Sequence, residues 1–162
     1  MGFFTKPQEG TSAGALAPLT SERIRARLDD RDAQYGVDDD GDIGGYWDGH
    51  LFYFFLLGQS SEYLQIRGRW NRAVSIEQLG AVTGLVNAWN AEKLWPKLYA
   101  RAEDDVVGVY AEHTVDYEHG VSDEQIDLHI ACAIATSGQA FDTLDESFPA
   151  EAALARAEFE RE

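Results

Sequence analysis

The residues best suited to chemistry are aspartates in an early loop. Residues 37–49 read VDDDGDIGGYWDG, with four aspartates around Gly41. A calcium-binding EF loop requires oxygen ligands at its positions 1, 3 and 5, glycine at 6 and a bidentate glutamate at 12. Both possible registers fail, because they place other residues at required positions: Gly36 and Trp47 in one register, Ile43 and Gly49 in the other. The Asp-Gly pair between β-like segments instead favours the turn of a β-hairpin.

The histidines and the single cysteine give little support for metal or catalytic chemistry. His113, Asp116 and His119 are close in sequence, but His113 and Asp116 point to opposite faces of a strand and cannot share an ion without a bulge. Cys132 falls in a helical pattern, and no motif in the sequence pairs it with a catalytic base. The one GxSxG match, GTSAG at residues 10–14, lies in a segment without strand or helix periodicity and so does not predict a nucleophile elbow, and no P-loop or GxGxxG motif is present. We therefore predict a protein that is not an enzyme and that has no metal site and no cofactor.

Tryptophans and basic residues are the strongest candidates for a binding site. Three tryptophans fall at a strand end, on a helix stripe and at a helix-to-strand junction, where burial in the core is the simplest explanation. The alternative is an aromatic groove flanked by basic side chains on the polar faces of two strands. These basic residues could instead pair with Glu112 or Asp116. The candidate partner-binding residues are Arg67, Arg69, Trp70, Trp89, Asn90, Trp95, Pro96 and Lys97.

Three helices with similar start signals must position these residues. Thr20, Ser75 and Ser122 are favoured N-caps, and each follows an apolar residue that can form a hydrophobic staple. Ser75 and Ser122 also have a glutamine three residues later, as a capping box requires. The first helix is expected to run to about Asp30. The other two carry apolar stripes at helical spacing, namely Leu79, Val82, Val86 and Trp89, and then Ile126, Ile130, Ile134, Phe141 and Leu144.

Between the helices the pattern changes to the two-residue period of strands. Residues 51–57 are apolar on both faces, as in a central strand, whereas residues 63–70 alternate and predict one solvated face. Pro96 ends the second helical pattern, and two further strands flank a turn at residues 102–105. This order predicts an α+β fold, with helices packed on one side of an antiparallel sheet of about five strands.

Length and composition indicate one domain. A chain of 162 residues with 44% hydrophobic residues can bury one core. Residues 1–18 are interpreted as a flexible leader, residues 19–149 as the folded domain, and residues 150–162 as a short acidic C-terminal tail or helix. The start does not fit a secretory signal, and the single Cys132 permits no intrachain disulfide, which favours the cytoplasm. The net charge of −16 argues against a nucleic-acid or membrane partner.

Four stretches carry a family resemblance: RGRWNR (67–72), AWNAEKLWPKLY (88–99), VYAEHTVDYEHGVSDEQ (109–125) and IATSGQAFDTLDESFP (134–149). In order and spacing they resemble the YbjN family of bacterial sensory transduction regulators, in its actinobacterial form. The resemblance covers about residues 19–149. It implies a fold similar to type III secretion chaperones, with the order α-β-β-β-α-β-β-α, together with dimerisation and binding of other proteins. It supplies no catalytic residues.

Two hypotheses follow. The first is a non-enzymatic cytoplasmic protein-binding module, chaperone-like or regulatory, which acts as a homodimer and whose second sheet face is open to a partner. The second is a small-ligand sensor or cryptic enzyme that uses a pocket near Trp89, Trp95 and Lys97. The sequence identifies neither the partner nor the dimer interface.

Overall fold

The computed structural model describes residues 15–161. The elements in chain order are α1 (Ser21–Asp29), β1 (Gly36–Val37), β2 (Ile43–Trp47), β3 (His50–Leu57), β4 (Tyr63–Arg69), β5 (Val74–Ser75), a 3₁₀ turn (Ile76–Gln78), α2 (Leu79–Glu92), β6 (Lys97–Glu103), β7 (Val106–Asp116), α3 (Asp123–Ser147) and α4 (Pro149–Phe159). Most of the predicted leader, residues 1–18, lies outside the described residues. At its end, Ala17 pairs with Val121 just before α3.

The described strands form one antiparallel sheet in the spatial order β1-β2-β3-β4-β7-β6. β4 and the short strand β5 pair with the same edge of β7, with β5 beyond the end of β4. β6 pairs with the other edge of β7. The predicted α+β class is thus confirmed, but the sheet has seven strands where about five were expected. The two extra strands, β1 and β5, are only two residues long and carry too little periodicity to be counted from the sequence.

The hydrophobic core lies between the helices and one face of the sheet. Along β3 and β4 every second side chain is buried, including Phe52, Phe54, Leu64 and Ile66. Phe52 packs against Phe141 of α3, with 6.2 Å between ring centroids. The predicted helix stripes supply the opposite wall, with Val82, Val86, Ile126, Ile130, Phe141 and Leu144 buried and Leu79, Trp89 and Ile134 partly buried.

The helix caps agree with the sequence at two of three sites. Thr20 Oγ1 accepts a hydrogen bond from the backbone N–H of Arg23, at 3.3 Å. Ser122 forms the complete capping box with Gln125. The box predicted at Ser75 is wrong: Ser75 belongs to β5, and Ile76 N–H donates to Asp105 O at 2.9 Å. These strand contacts hold residues 76–78 in a 3₁₀ turn, so the helix α2 begins only at Leu79.

The C-terminal segment forms a helix, α4, rather than an irregular tail. Pro149 stands in its first turn, where its missing N–H costs nothing. Ala152 is buried, and Arg156 Nη2 donates to Asp145 Oδ2 of α3 at 2.8 Å. At the far end, the Phe159 ring lies 5.7 Å from that of Tyr46 in β2. Within residues 15–161, no helix combines the length and apolar content that a membrane crossing requires.

Candidate functional site

The sheet face opposite the core carries aromatic and charged side chains in register. The register places Tyr53 of β3, Arg67 of β4, Glu112 of β7 and Lys97 of β6 in one row across the sheet. Because side chains alternate along strands, their neighbours two residues away share this face. We call it the outer face. Its apolar half comprises Tyr46, Leu51, Tyr53 and Phe55, and its charged half comprises Arg67, Arg69, Lys97, Tyr99, Arg101, Glu103, Tyr110, Glu112 and Asp116.

One carboxylate of the charged half, Glu112, is shared by two cations. Its Oε1 accepts from Arg67 Nε at 2.9 Å and from the Tyr99 hydroxyl at 2.8 Å, and its Oε2 lies 2.5 Å from Lys97 Nζ. Burial alone would raise the pKa of Glu112, but hydrogen bonds from Lys97 and Tyr99 outweigh burial and lower it. Burial and the hydrogen bond to Glu112 raise the pKa of Tyr99 to about 12. Glu112 therefore stays negatively charged, and its carboxylate is contacted by three donors.

The second carboxylate, Glu103, is held in the same way. Its Oε2 accepts from Arg69 at 2.8 Å, and its Oε1 accepts from Arg101 at 2.8 Å and from the Tyr110 hydroxyl at 2.5 Å. The hydrogen bonds from Tyr110 and Arg69 lower the pKa of Glu103 to about 2. The guanidinium of Arg101 also lies over the Tyr110 ring, 4.5 Å from its centroid. Each of the two carboxylates is thus shared by two cations, which leaves the charged half net positive.

The apolar half adjoins these ion pairs directly. The rings of Tyr53 and Phe55 stack with centroids 5.5 Å apart, and the Arg67 guanidinium lies 5.0 Å from the Phe55 centroid. Tyr53 lies across β2 at Gly44, where an added Cβ would come within 2.9 Å of the Tyr53 ring. The tyrosine can lie flat on the sheet only because Gly44 has no side chain. Beside it, Tyr46 and Tyr53 help to line an open recess of about 680 Å³ at the β1–β2 end of the sheet.

The structure brings three of the predicted site residues together. Arg67, Arg69 and Lys97 all lie on the outer face, and the predicted pairing of basic residues with Glu112 is present. Trp70 lies elsewhere: it is fully buried, and its Nε1 donates to Asp145 Oδ1 at 2.8 Å.

Trp89, Asn90 and Pro96 form a clamp between α2 and β6. The Asn90 side-chain amide donates to Leu98 O and accepts from Leu98 N–H, both at 2.9 Å, in the manner of a strand pair. Trp89 Nε1 donates to Pro96 O at 3.2 Å. The clamp fixes the start of β6, and so it positions Lys97 for the outer face.

Trp95 is the one predicted tryptophan with a largely exposed ring. It stacks on His113 with centroids 5.4 Å apart. The two side chains line a recess of about 540 Å³ together with Leu94, Lys97, Glu112, Thr114 and Val115. The predicted pocket near Trp95 and Lys97 is therefore present as a recess, but Trp89 and Asn90 do not line it.

Sequence reasoning missed the histidine pair beneath this recess. The rings of His113 and His129 lie 4.6 Å apart, and Tyr117 Oη is 3.2 Å from His129 Nδ1. Burial and the charge of His113 lower the pKa of His129 to about 4. His113 Nδ1 is buried and has no hydrogen-bond partner in the part of the chain that the structure describes. The pair joins β7 to α3, and no local sequence signal connects them.

Sequence reasoning also missed a buried ion cluster around Asp145. Its carboxylate accepts from Arg72 Nε at 3.0 Å and from Arg72 Nη2 at 2.8 Å, in addition to Trp70 and Arg156. Burial and the Arg72 charge lower the pKa of nearby His50 to about 4. One signal was available: Asp145 follows Phe141 by four residues, which places it on the buried stripe of α3.

The aspartate loop forms the predicted hairpin turn. Val37 of β1 pairs with Ile43 of β2, and Asp38 Oδ1 accepts from the N–H groups of Asp40 and Asp42, at 3.1 and 2.9 Å. Gly41 takes the positive φ of 88° that this turn requires. Among the described residues, no group of three or more His, Cys, Asp or Glu side chains could hold a metal ion.

Comparisons with known proteins identify a family and a fold. The family model named YbjN, described as "Putative bacterial sensory transduction regulator", matches residues 20–146. A crystal structure described as "YbjN, a putative transcription regulator from E. coli" is similar, with a TM-score of 0.68 and 15% sequence identity. The match covers 78% of this chain and 92% of that chain, and at this identity it shows the fold alone. No curated protein sequence matches the chain.

Proposed function

Because the chain belongs to the YbjN family of bacterial regulators, we propose that it is a non-enzymatic protein-binding module, chaperone-like or regulatory, which takes its partner on the outer face. The observation that carries the proposal is the pairing of apolar residues on both sides of β3. Phe52 and Phe54 are buried in the core, whereas Tyr53 and Phe55 are stacked on the opposite face, where both side chains remain partly exposed. A central strand that is apolar on both faces favours cover on both.

The chemistry of the outer face supports binding better than catalysis. General acid–base catalysis requires a group whose pKa lies near the working pH and that can reach a substrate. Here the pKa of Glu103 is lowered to about 2 and the pKa of Tyr99 is raised to about 12. The hydrogen bonds that cause these shifts also occupy the carboxylates. The side chains are therefore fixed in place as a rigid, pre-organised surface, which favours recognition.

The test compares two matched surface changes. Phe55 lies on the outer face, and Leu128 is an apolar residue of α3 that is 70% exposed on the helical side. Each is replaced by serine, and tagged wild-type and variant proteins are used to capture partners from a lysate of the native cell. We expect a partner that is retained by wild type and by Leu128→Ser but lost from Phe55→Ser. Equal retention by Phe55→Ser would overturn the assignment to the outer face.

The working location and assembly are part of the same proposal. We propose a cytoplasmic homodimer, because the single Cys132 suits a reducing compartment and proteins of this shape commonly dimerise. Light scattering on the purified protein tests the dimer. A strict monomer at all concentrations would remove the dimer and would leave the outer-face proposal standing.

The recess at Trp95 favours a second candidate, a small-ligand sensor or cryptic enzyme. His113 Nδ1 is buried there without a hydrogen-bond partner among the described residues, and Lys97 supplies a cation at the rim. Native mass spectrometry of the protein, purified without denaturation, tests this candidate. A bound small molecule that is lost in Trp95→Ala would support it, and a mass equal to that of the bare chain would count against it.

A further inference from the structure

The structure also points to the chemistry of the partner. Resting on the proposed function, we infer that the outer face binds an acidic amphipathic segment of a protein, with its apolar side chains on the Tyr53–Phe55 half and its carboxylates over the four basic side chains of the charged half. The inference depends on the contrast between this face and the rest of the molecule.

The charged half is a positive island on an acidic protein. Four cations, Arg67, Arg69, Lys97 and Arg101, share two carboxylates. Asp116 of β7 is exposed on the same face, so the face keeps one net positive charge, while the whole chain carries a net charge of −16. An acidic partner is repelled by the rest of the surface and attracted here. Such a contrast orients an approaching partner and raises its rate of association.

The basic side chains retain hydrogen-bond donors for a partner. The Lys97 side chain is 64% exposed and contacts Glu112 through one ammonium group that has three donor hydrogens. The Arg101 side chain is 58% exposed and uses Nε and Nη2 on Glu103 and Tyr110. A guanidinium has five donor hydrogens, so further carboxylates can be accepted from outside. Glu112 and Glu103 each already accept from three donors of this face, so the face offers a partner more free hydrogen-bond donors than free acceptors.

The apolar half excludes a purely electrostatic partner. Tyr46 is 53% exposed, and the stacked rings of Tyr53 and Phe55 lie between it and the Arg67 guanidinium. A segment that lies across the sheet must therefore offer apolar contact on one side and carboxylates on the other. An amphipathic acidic peptide has this pattern.

Single-stranded nucleic acid is the competing class, because aromatic rings beside arginines can stack bases. The charge argues against it. Binding to nucleic acid gains free energy by neutralising many phosphates, whereas this face has only one net positive charge and the surrounding protein repels a polyanion. The acidic peptide is the better match, and the oligonucleotide becomes one arm of the test.

The test uses the full-length chain and four labelled probes. Three are short amphipathic peptides with the same leucine stripe and with glutamate, glutamine or lysine on the flanks, and the fourth is an oligothymidine. Binding is followed by anisotropy at low and at moderate salt. We expect the glutamate peptide to bind most tightly, about tenfold tighter than the glutamine peptide, with an affinity that falls as salt rises. Equal binding of these two peptides, no binding of the glutamate peptide, or tighter binding of the oligonucleotide would overturn the inference.

A matched pair of variants assigns the effect to this face. Lys97→Gln/Arg101→Gln removes the two more exposed cations and leaves one guanidinium each on Glu112 and Glu103, so that the face, with Asp116, carries one net negative charge. The control is Arg25→Gln/Arg31→Gln, which removes one cation of α1 and one of the turn that follows it, whose side chains are 41% and 42% exposed. We expect the first pair to weaken binding of the glutamate peptide about tenfold and the control to leave it unchanged.

The outcomes separate this inference from the function on which it rests. If the outer face binds proteins but does not select acidic ones, Phe55→Ser weakens all three peptides equally and Lys97→Gln/Arg101→Gln has no effect. If the outer face is not a binding surface, Phe55→Ser leaves peptide binding unchanged. Either result would contradict the inference, and only the second would also contradict the proposed function.

Discussion

Replacing Asp145 by alanine is expected to remove a large part of the stability of the protein. Its carboxylate accepts four hydrogen bonds: Oδ1 from Trp70 Nε1 and Arg72 Nε, and Oδ2 from Arg72 Nη2 and Arg156 Nη2, at distances of 2.8 to 3.0 Å. The side chains of Asp145 and Arg72 are only 6% and 3% exposed. Removing one partner leaves an uncompensated charge in the core, which costs about 3–5 kcal/mol. That is a large share of the ~5–15 kcal/mol that a domain has in total.

Urea unfolding at neutral pH measures this loss. The first control is Arg156→Ala, which removes a partner whose side chain is 61% exposed and is expected to cost at most about 1 kcal/mol. The second is Arg72→Met/Asp145→Leu, which replaces the buried pair by apolar groups and should recover most of the loss. A cost below about 1 kcal/mol for Asp145→Ala, equal to that of Arg156→Ala, would refute the reasoning that the buried charge dominates.

Three further predictions concern the clamp, the caps and the buried histidines. Asn90→Ala removes the side-chain amide that pairs with the N–H and C=O groups of Leu98. It should lower the free energy of unfolding by about 1–3 kcal/mol in urea titrations, and no change would show that water replaces the amide. Ser122→Ala should lower the free energy of unfolding by about 1 kcal/mol, and Ser75→Ala should lower it clearly less. The reason is that the Ser75 hydroxyl accepts its hydrogen bond at 3.4 Å and caps only a 3₁₀ turn. Equal losses of stability in thermal unfolding would contradict this ranking. Burial lowers the pKa of His129 in the folded protein from its ordinary value of 6.5 to about 4. The unfolded chain therefore binds a proton first, and stability should fall as the pH drops from 6.5 to about 4. His129→Gln should reduce this pH-dependent loss in the free energy of unfolding by up to about 3 kcal/mol, as measured by urea titrations across that range. An unchanged pH dependence would mean that His129 is not the group responsible.

The features that could be predicted are those with local causes. The capping box at Ser122 depends on residues three apart, and the alternation of residues 63–70 needs only the strand period. Where a non-local contact competes, the local rule fails. Ser75 has the sequence of a capping box, but pairing of β5 with β7 holds it in a strand, and the helix begins later.

The outer face illustrates the same limit. Alternation correctly placed Glu112 and Asp116 on the same face as Lys97, but only the sheet register shows that Lys97 stands directly opposite Glu112. The second carboxylate was missed because residues 102–105 were read as the turn, whereas β6 continues to Glu103 and the turn consists of Asp104 and Asp105. That extension brings Glu103 onto the face beside Arg69.

The tryptophans could not be sorted from the sequence. The amphipathic ring suits both a core and a binding groove, and only the fold decides between them. Trp70 donates to a buried carboxylate 75 residues away in the chain, whereas Trp95, two residues before β6 begins, is 42% exposed.

The central claim is that a partner protein sits on the outer face, and site-specific photocrosslinking in the native cell tests it most directly. A benzoylphenylalanine replaces Phe55 in one strain and Leu128 in a second, and adducts are identified by mass spectrometry after irradiation. The account predicts a protein adduct from position 55 that is absent from position 128. An adduct found only from position 128, or equally from both positions, would contradict it.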